Sequence, residues 1–148
     1  MNRKTLFLVA ALALIGAVAY GVKEYMRGHA DVAGMHAAHA VDARQLLADF
    51  IADDAAARAK YVGEKEQAIE VVGIIRAVEP GDGAALANVV LETGDEMAGI
   101  ACEFAPGNLP PEWKAGDEVR VKGICQGYTG EGMMPGDVVL QRCVPVVR

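Results

Sequence analysis

From Gln67 onward the chain reads as five short strand-like segments, and glycine in the first and the fourth marks a bend. No other feature limits the fold as much. The segments run Ala68 to Val78, Ala84 to Glu92, Met97 to Phe104, Glu118 to Tyr128 and Asp137 to Val144. Turn sequences such as Pro80-Gly81-Asp82-Gly83, Thr93-Gly94-Asp95 and Lys114-Ala115-Gly116-Asp117 separate them. Glycine inside a strand suits a sharp bend, where a side chain would obstruct coiling or a bulge is needed. In the fourth segment Val119, Val121 and Ile124 are expected to face inward, with Arg120 and Lys122 outward. Five short strands with two bends in roughly 80 residues predict a mainly β protein, an OB-type barrel rather than a sandwich.

A helix should precede the barrel. Asp42 is a good N-cap, and Leu46, Leu47, Phe50, Ile51, Ala57 and Tyr61 recur at helical spacing. Arg44, Asp49, Asp53, Arg58 and Lys60 occupy the other face. This predicts an amphipathic helix within 42–63 that closes one end of a barrel spanning 67–147. Residues 23–41 are small and polar and are expected to form a flexible linker. The linker holds every histidine, His29, His36 and His39. His36 and His39 could share a helical face toward a borderline metal, but nothing nearby fixes them, so they read as solvated side chains. No metal site is expected.

Residues 1–22 form an export or anchoring segment. Arg3 and Lys4 precede Thr5 to Val22, which contains no acid, base or proline. As a helix this run reaches roughly 27 Å, marginally enough for a bilayer core. The leading cations favour a cytoplasmic N-terminus. The expectation is therefore a transmembrane signal-anchor in the inner membrane with the C-terminal domain in the periplasm. The alternative is cleavage near Ala19, because Ala17-Val18-Ala19 has the small-x-small form of a signal peptidase site.

Charge narrows the partners. The net charge is -6, and the chain from Gln67 onward alone carries six basic and twelve acidic residues. Binding a polyanion relies on Lys and Arg neutralising phosphates, so nucleic acid is disfavoured. No phosphate-cradling loop, catalytic constellation or cofactor motif is present. Asp95-Glu96 and Asp117-Glu118 are adjacent pairs whose side chains point to opposite faces, so neither forms an acid/base couple. The candidate ligand contacts are Tyr128, Met133 and Met134 in the loop between the fourth and fifth strands, with Arg120 and Lys122 as nearby cations. In OB folds that loop helps form the ligand face, and methionines give adaptable apolar contacts. Trp113 reads as a plug for a barrel end. An oxidising compartment would permit a disulfide. Neighbouring fourth and fifth strands favour Cys125–Cys143, with Cys102 as a competitor.

The segments AAARAKYVGEKEQAIEVVG, IACEF, AGDEVRVKGICQG and VVLQRC follow one another after an apolar N-terminal helix. In this order the sequence resembles the bacterial tRNA_anti-like family over about Asp42 to Val146. The resemblance rests on Ala57, Tyr61, Val72, Gly73, Cys102, Gly116, Asp117, Val121, Gly123, Cys125, Gly127, Leu140 and Cys143. It implies an OB fold. Members are often described as lipoproteins or membrane-anchored proteins of unknown function, although no Cys follows the apolar run here. The family name implies nucleic-acid binding only by analogy with the anticodon-binding domains of tRNA ligases, and fold does not carry function. The expected function is a non-enzymatic, membrane-tethered binding module for an unidentified protein or envelope ligand. The alternative is a single-stranded nucleic-acid-binding domain.

Overall fold

A computed structural model describes residues 13–22 and 31–147. The chain divides into two units, Met1–Asp31 and Val32–Arg148. In the first, residues 13–22 are helical. Among the described residues no helix is long and apolar enough to cross a membrane. The expected span begins at Thr5, and its residues 5–12 lie outside the described ones.

The second unit holds six strands: β1 (Ala37–Asp42), β2 (Ala68–Glu79), β3 (Ala87–Leu91), β4 (Ile100–Phe104), β5 (Glu118–Tyr128) and β6 (Val138–Pro145). Five of them are the segments the sequence predicts. They close into a barrel in the order β2-β3-β4-β6-β5, with β5 pairing back onto β2. All pairings around the barrel are antiparallel except β4 with β6. β2 closes the circle because it serves two partners. Its first half, Ala68 to Ile74, pairs with β5, and its second half, from Ile75, pairs with β3. Gly73 sits at the changeover, where a Cβ would come within 2.9 Å of the Ala43 Cβ. The missing side chain lets the helix start touch the bent strand.

Inside, Ile69, Val71, Ile75, Val89, Leu91, Ile100, Phe104, Val121 and Leu140 are almost fully buried. Each such aliphatic or aromatic side chain contributes about 1.5–3 kcal/mol when removed from water. Trp113, partly buried, packs edge-on against Phe104, with ring centroids 5.8 Å apart. The cover of the core is helical. Asp42 caps α1 (Ala43–Ala52) by accepting from the Arg44 N–H. Leu46, Leu47 and Phe50 project from α1 into the core.

Three expectations need correction. First, the linker expected over 23–41 does not extend to the helix: Ala37–Asp42 is a strand, parallel to the first half of β2. The preceding residues also dock. Val32 is buried with Ala68 and Ile124, and Met35 packs beside them. Second, Ile124 therefore lies in this outer cluster, not in the barrel interior. Strand alternation puts it opposite Val119 and Val121, and the docked segment shields it from water. Third, the helix over 42–63 is not continuous. Asp53 is extended and restarts a short helix, α2 (Asp54–Ala57), by accepting from the Ala56 N–H. A π-helical turn, Arg58–Val62, follows and ends at Gly63, whose φ is 69°. The break brings Tyr61 back onto α1, where its hydroxyl donates to Asp49 at 2.6 Å.

Candidate binding surface

The residues expected to meet a ligand do not form one site. β5 holds two of them near its start and one at its end. Arg120 and Lys122 lie six or more residues from Tyr128, about 20 Å along an extended strand.

At the first end both cations are occupied by the protein itself. Arg120 pairs with Glu70 on β2. The Lys122 ammonium donates to the carbonyls of Ala33 and Met35 at 2.8 and 2.9 Å. It clamps the residues just before β1 against the barrel. Arg120 also borders a groove of about 500 Å³ with Trp113, Pro110 and Val147, but Glu112 and Glu118 line it too.

At the other end stands the hairpin between β5 and β6. The Thr129 N–H and hydroxyl both donate to the Asp137 carbonyl, and the Asp137 N–H donates to the Thr129 hydroxyl. The Tyr128 hydroxyl accepts from the Gly136 N–H at 3.2 Å. A Cβ on Gly130 would fall 2.3 Å from the Tyr128 ring. Tyr128 is thus the post on which the hairpin rests, and the glycine is required for that close approach. Glu131 and Met134 bridge across the tip. The ordered base leaves Met133 98% and Met134 75% exposed. Arg58 ties the helical segment to this end, donating to the Tyr128 carbonyl at 3.3 Å and to Asp54. Beneath lies a groove of about 510 Å³ between Phe50, Ile51, Asp54 and Arg58 on one side and residues 128–132 on the other. Ile51 is 60% exposed. The sequence did not place Ile51 here, because helical periodicity assigned it to the buried stripe.

The sheet face of β3 and β4 offers no stacking platform. Its outward side chains include Asn88, Val90 and Glu103. Arg76 is used up bracing the β3–β4 turn through the carbonyls of Asp95 and Ala98. The Asn88 Oδ1 atom is buried without a hydrogen-bond partner.

The cysteines depart from the expected pairing. All three are buried free thiols. The Cys125–Cys143 disulfide fails on register. Arg142, with φ 53°, and a register shift between Lys122 and Ile124 turn Cys143 over Gly123 and away from Cys125. Burial pushes the Cys125 thiol up to about 11. Burial raises Cys143 well above the ordinary thiol range, and the adjoining Cys102 raises it further. Neither is a nucleophile at neutral pH. No group of three or more metal-ligating His, Cys, Asp or Glu side chains occurs among the described residues. His39 instead packs edge-on against Tyr61, at 5.7 Å between centroids.

The strand order, the parallel β4–β6 pair and the long loop between β5 and β6 define an OB-type barrel. The tRNA_anti-like family model matches residues 1–144, and the chain belongs to that family. Among solved structures it is similar to a lipoprotein from Klebsiella pneumoniae subsp. pneumoniae MGH 78578, provisionally described as nucleic acid-binding. The TM-score is 0.54 at 18% identity, covering 78% of this chain and 95% of that one. Weaker likenesses are an aspartyl-tRNA synthetase from Leishmania major Friedlin and an asparaginyl-tRNA synthetase from Entamoeba histolytica. Their TM-scores are 0.37 and 0.39 at 12% and 13% identity, covering 62% and 72% of this chain and 19% and 23% of theirs. None of the curated proteins matches the chain in sequence.

Proposed function

We propose that this is a non-enzymatic binding module, held at the periplasmic side of an inner membrane, that takes a polypeptide partner at the hairpin end of its barrel. One observation carries the reading: the hairpin is tied at its base, yet presents two bare methionines beside a groove that Ile51 borders. Covering such a side chain contributes about 1.5–3 kcal/mol. Methionine adapts to irregular apolar surfaces. The neighbouring Asp54, Arg58 and Glu131 give the groove a mixed polar rim, as protein interfaces have.

The tether rests on the sequence. Arg3 and Lys4 before an uncharged run from Thr5 to Val22 fit a signal-anchor. Within it Leu14, Ile15, Val18, Tyr20 and Val22 are exposed on a helix, as suits side chains meant for lipid. Carbonate extraction should leave the full chain in the membrane fraction. Release of a mature protein beginning at Tyr20 would overturn the anchor.

A single-stranded nucleic-acid ligand is the competing reading, and the provisional description of the Klebsiella lipoprotein favours it. Charge weighs against it. Arg120, Lys122 and Arg76 already serve protein acceptors. Fluorescence anisotropy with single-stranded DNA and RNA at low salt tests the choice. The polypeptide reading expects no binding at micromolar protein. Binding that weakens as salt rises would replace it with the nucleic-acid reading.

A further inference from the structure

Two of the three thiols are brought together by a strand pair other than β5 with β6. Cys102 lies on β4 and Cys143 on β6, parallel neighbours in the barrel wall. Cys102 stands opposite Leu140, and Phe104 opposite Cys143, so two residues of β6, Gln141 and Arg142, face Glu103 alone, one more than a regular pairing allows. That bulge, with Arg142 at positive φ, turns Cys143 inward. Its thiol reaches back to the Leu140 carbonyl at 3.5 Å, the residue directly across from Cys102. Both cysteines are buried in the same core, at 0% and 1% exposure. Gly123 keeps the space open, since a Cβ there would fall 2.7 Å from the Cys143 sulfur. Cys125 faces elsewhere, toward the Gly127 backbone and Arg58.

We propose that Cys102 and Cys143 form a disulfide across the β4–β6 pair when the domain folds in an oxidising compartment, leaving Cys125 as a buried thiol. The oxidant is a disulfide-bearing protein or small molecule. One cysteine, deprotonated, attacks a sulfur of that disulfide and releases one of its thiolates. The second cysteine, also deprotonated, attacks the resulting mixed disulfide and releases the other. The pair gives up two protons and two electrons, and the oxidant's disulfide becomes two thiols. Both thiols are out of reach of an oxidant once the barrel has closed, so the bond forms during folding, before the core excludes the oxidant.

The test uses the full chain in detergent. The reduced, denatured protein is refolded in a glutathione redox buffer. It is then unfolded with an alkylating agent, digested without reduction and mapped by mass spectrometry. The expected result is one linked peptide pair containing Cys102 and Cys143, with Cys125 alkylated. Closing a loop of about 40 residues should raise the Tm of the oxidised form over the reduced form by on the order of 10 °C. C125A should retain the linked pair. Alkylation of all three thiols, or a linkage containing Cys125, would overturn the proposal without any variant having to fold.

Discussion

The two ends of β5 carry opposite kinds of exposed chemistry. At its start, Arg120 and Lys122 look from the sequence like cations waiting for a ligand, yet both are bound to acceptors of their own chain. At its end, the loop looks like a loose tip, yet Tyr128 and Thr129 fasten it and its two methionines are left bare. Charge on a barrel surface is therefore a poor guide to a site until its partners are known. An apolar side chain on a tied loop is the better guide, because it bears a solvation cost that its own fold does not relieve.

The contrast can be broken by substitution, starting with the largest effect. Tyr128→Ala removes the post under the hairpin and should cost about 2–4 kcal/mol in chemical denaturation. Amide exchange should quicken across residues 129–137. Tyr128→Phe keeps the ring and loses only the hydroxyl bond to Gly136, so it should cost about 1 kcal/mol. If both variants behaved alike, the ring would not be the support.

Lys122→Ala at the opposite end should cost about 1–2 kcal/mol, since it strips charged hydrogen bonds from two carbonyls. Amide exchange should rise over residues 32–41 and leave the hairpin unaffected. A loss of partner binding without loss of stability would instead make Lys122 a ligand contact.

Acid should loosen the helical cover by a smaller amount. The Tyr61 hydroxyl, then Gln45, and after them Lys60, hold the Asp49 carboxyl below its ordinary value against the opposing effect of burial. A depressed carboxylate contributes stability that is complete above its unfolded pKa, near 4, and is lost as pH falls through the folded value. Asp49→Asn should therefore be less stable than the native chain at pH 7 by about 1 kcal/mol or less, with the gap closing as pH falls past the ordinary carboxylate range. A gap that widened in acid would contradict that assignment.

The barrel was legible because its strands obey a two-residue alternation and its bends require glycine. β5 matches its expected bounds from Glu118 to Tyr128. β1 was not legible: AAHAVD has no large residue alternating with polar ones, and its place in the sheet comes from β2 beside it. Ile124 was misassigned because its cover, Val32 and Met35, lies some ninety residues away in sequence. The break in the helical segment turns on Asp53, which fits a helix surface as readily as a cap. The cysteine geometry turns on a bulge at Arg142, a residue type that gives no warning of positive φ. The hairpin was half legible. The sequence placed Tyr128, Met133 and Met134 in this loop, while Ile51 and the groove beside it needed three dimensions. Arg120 and Lys122 were chosen for charge alone.

The smallest stability effect belongs to the tip itself. Met133→Ala and Met134→Ala should each change stability by less than about 0.5 kcal/mol, because nothing in the domain rests on these side chains.

Placing a photo-crosslinking amino acid at Met133 in one protein and at Lys114, an exposed residue in the connection leading to the start of β5, in another tests the central claim most directly. Irradiated in cells, the Met133 protein should give one discrete polypeptide adduct, insensitive to nuclease, and the Lys114 protein none. An adduct confined to Lys114, or a nuclease-sensitive adduct at Met133, would contradict it.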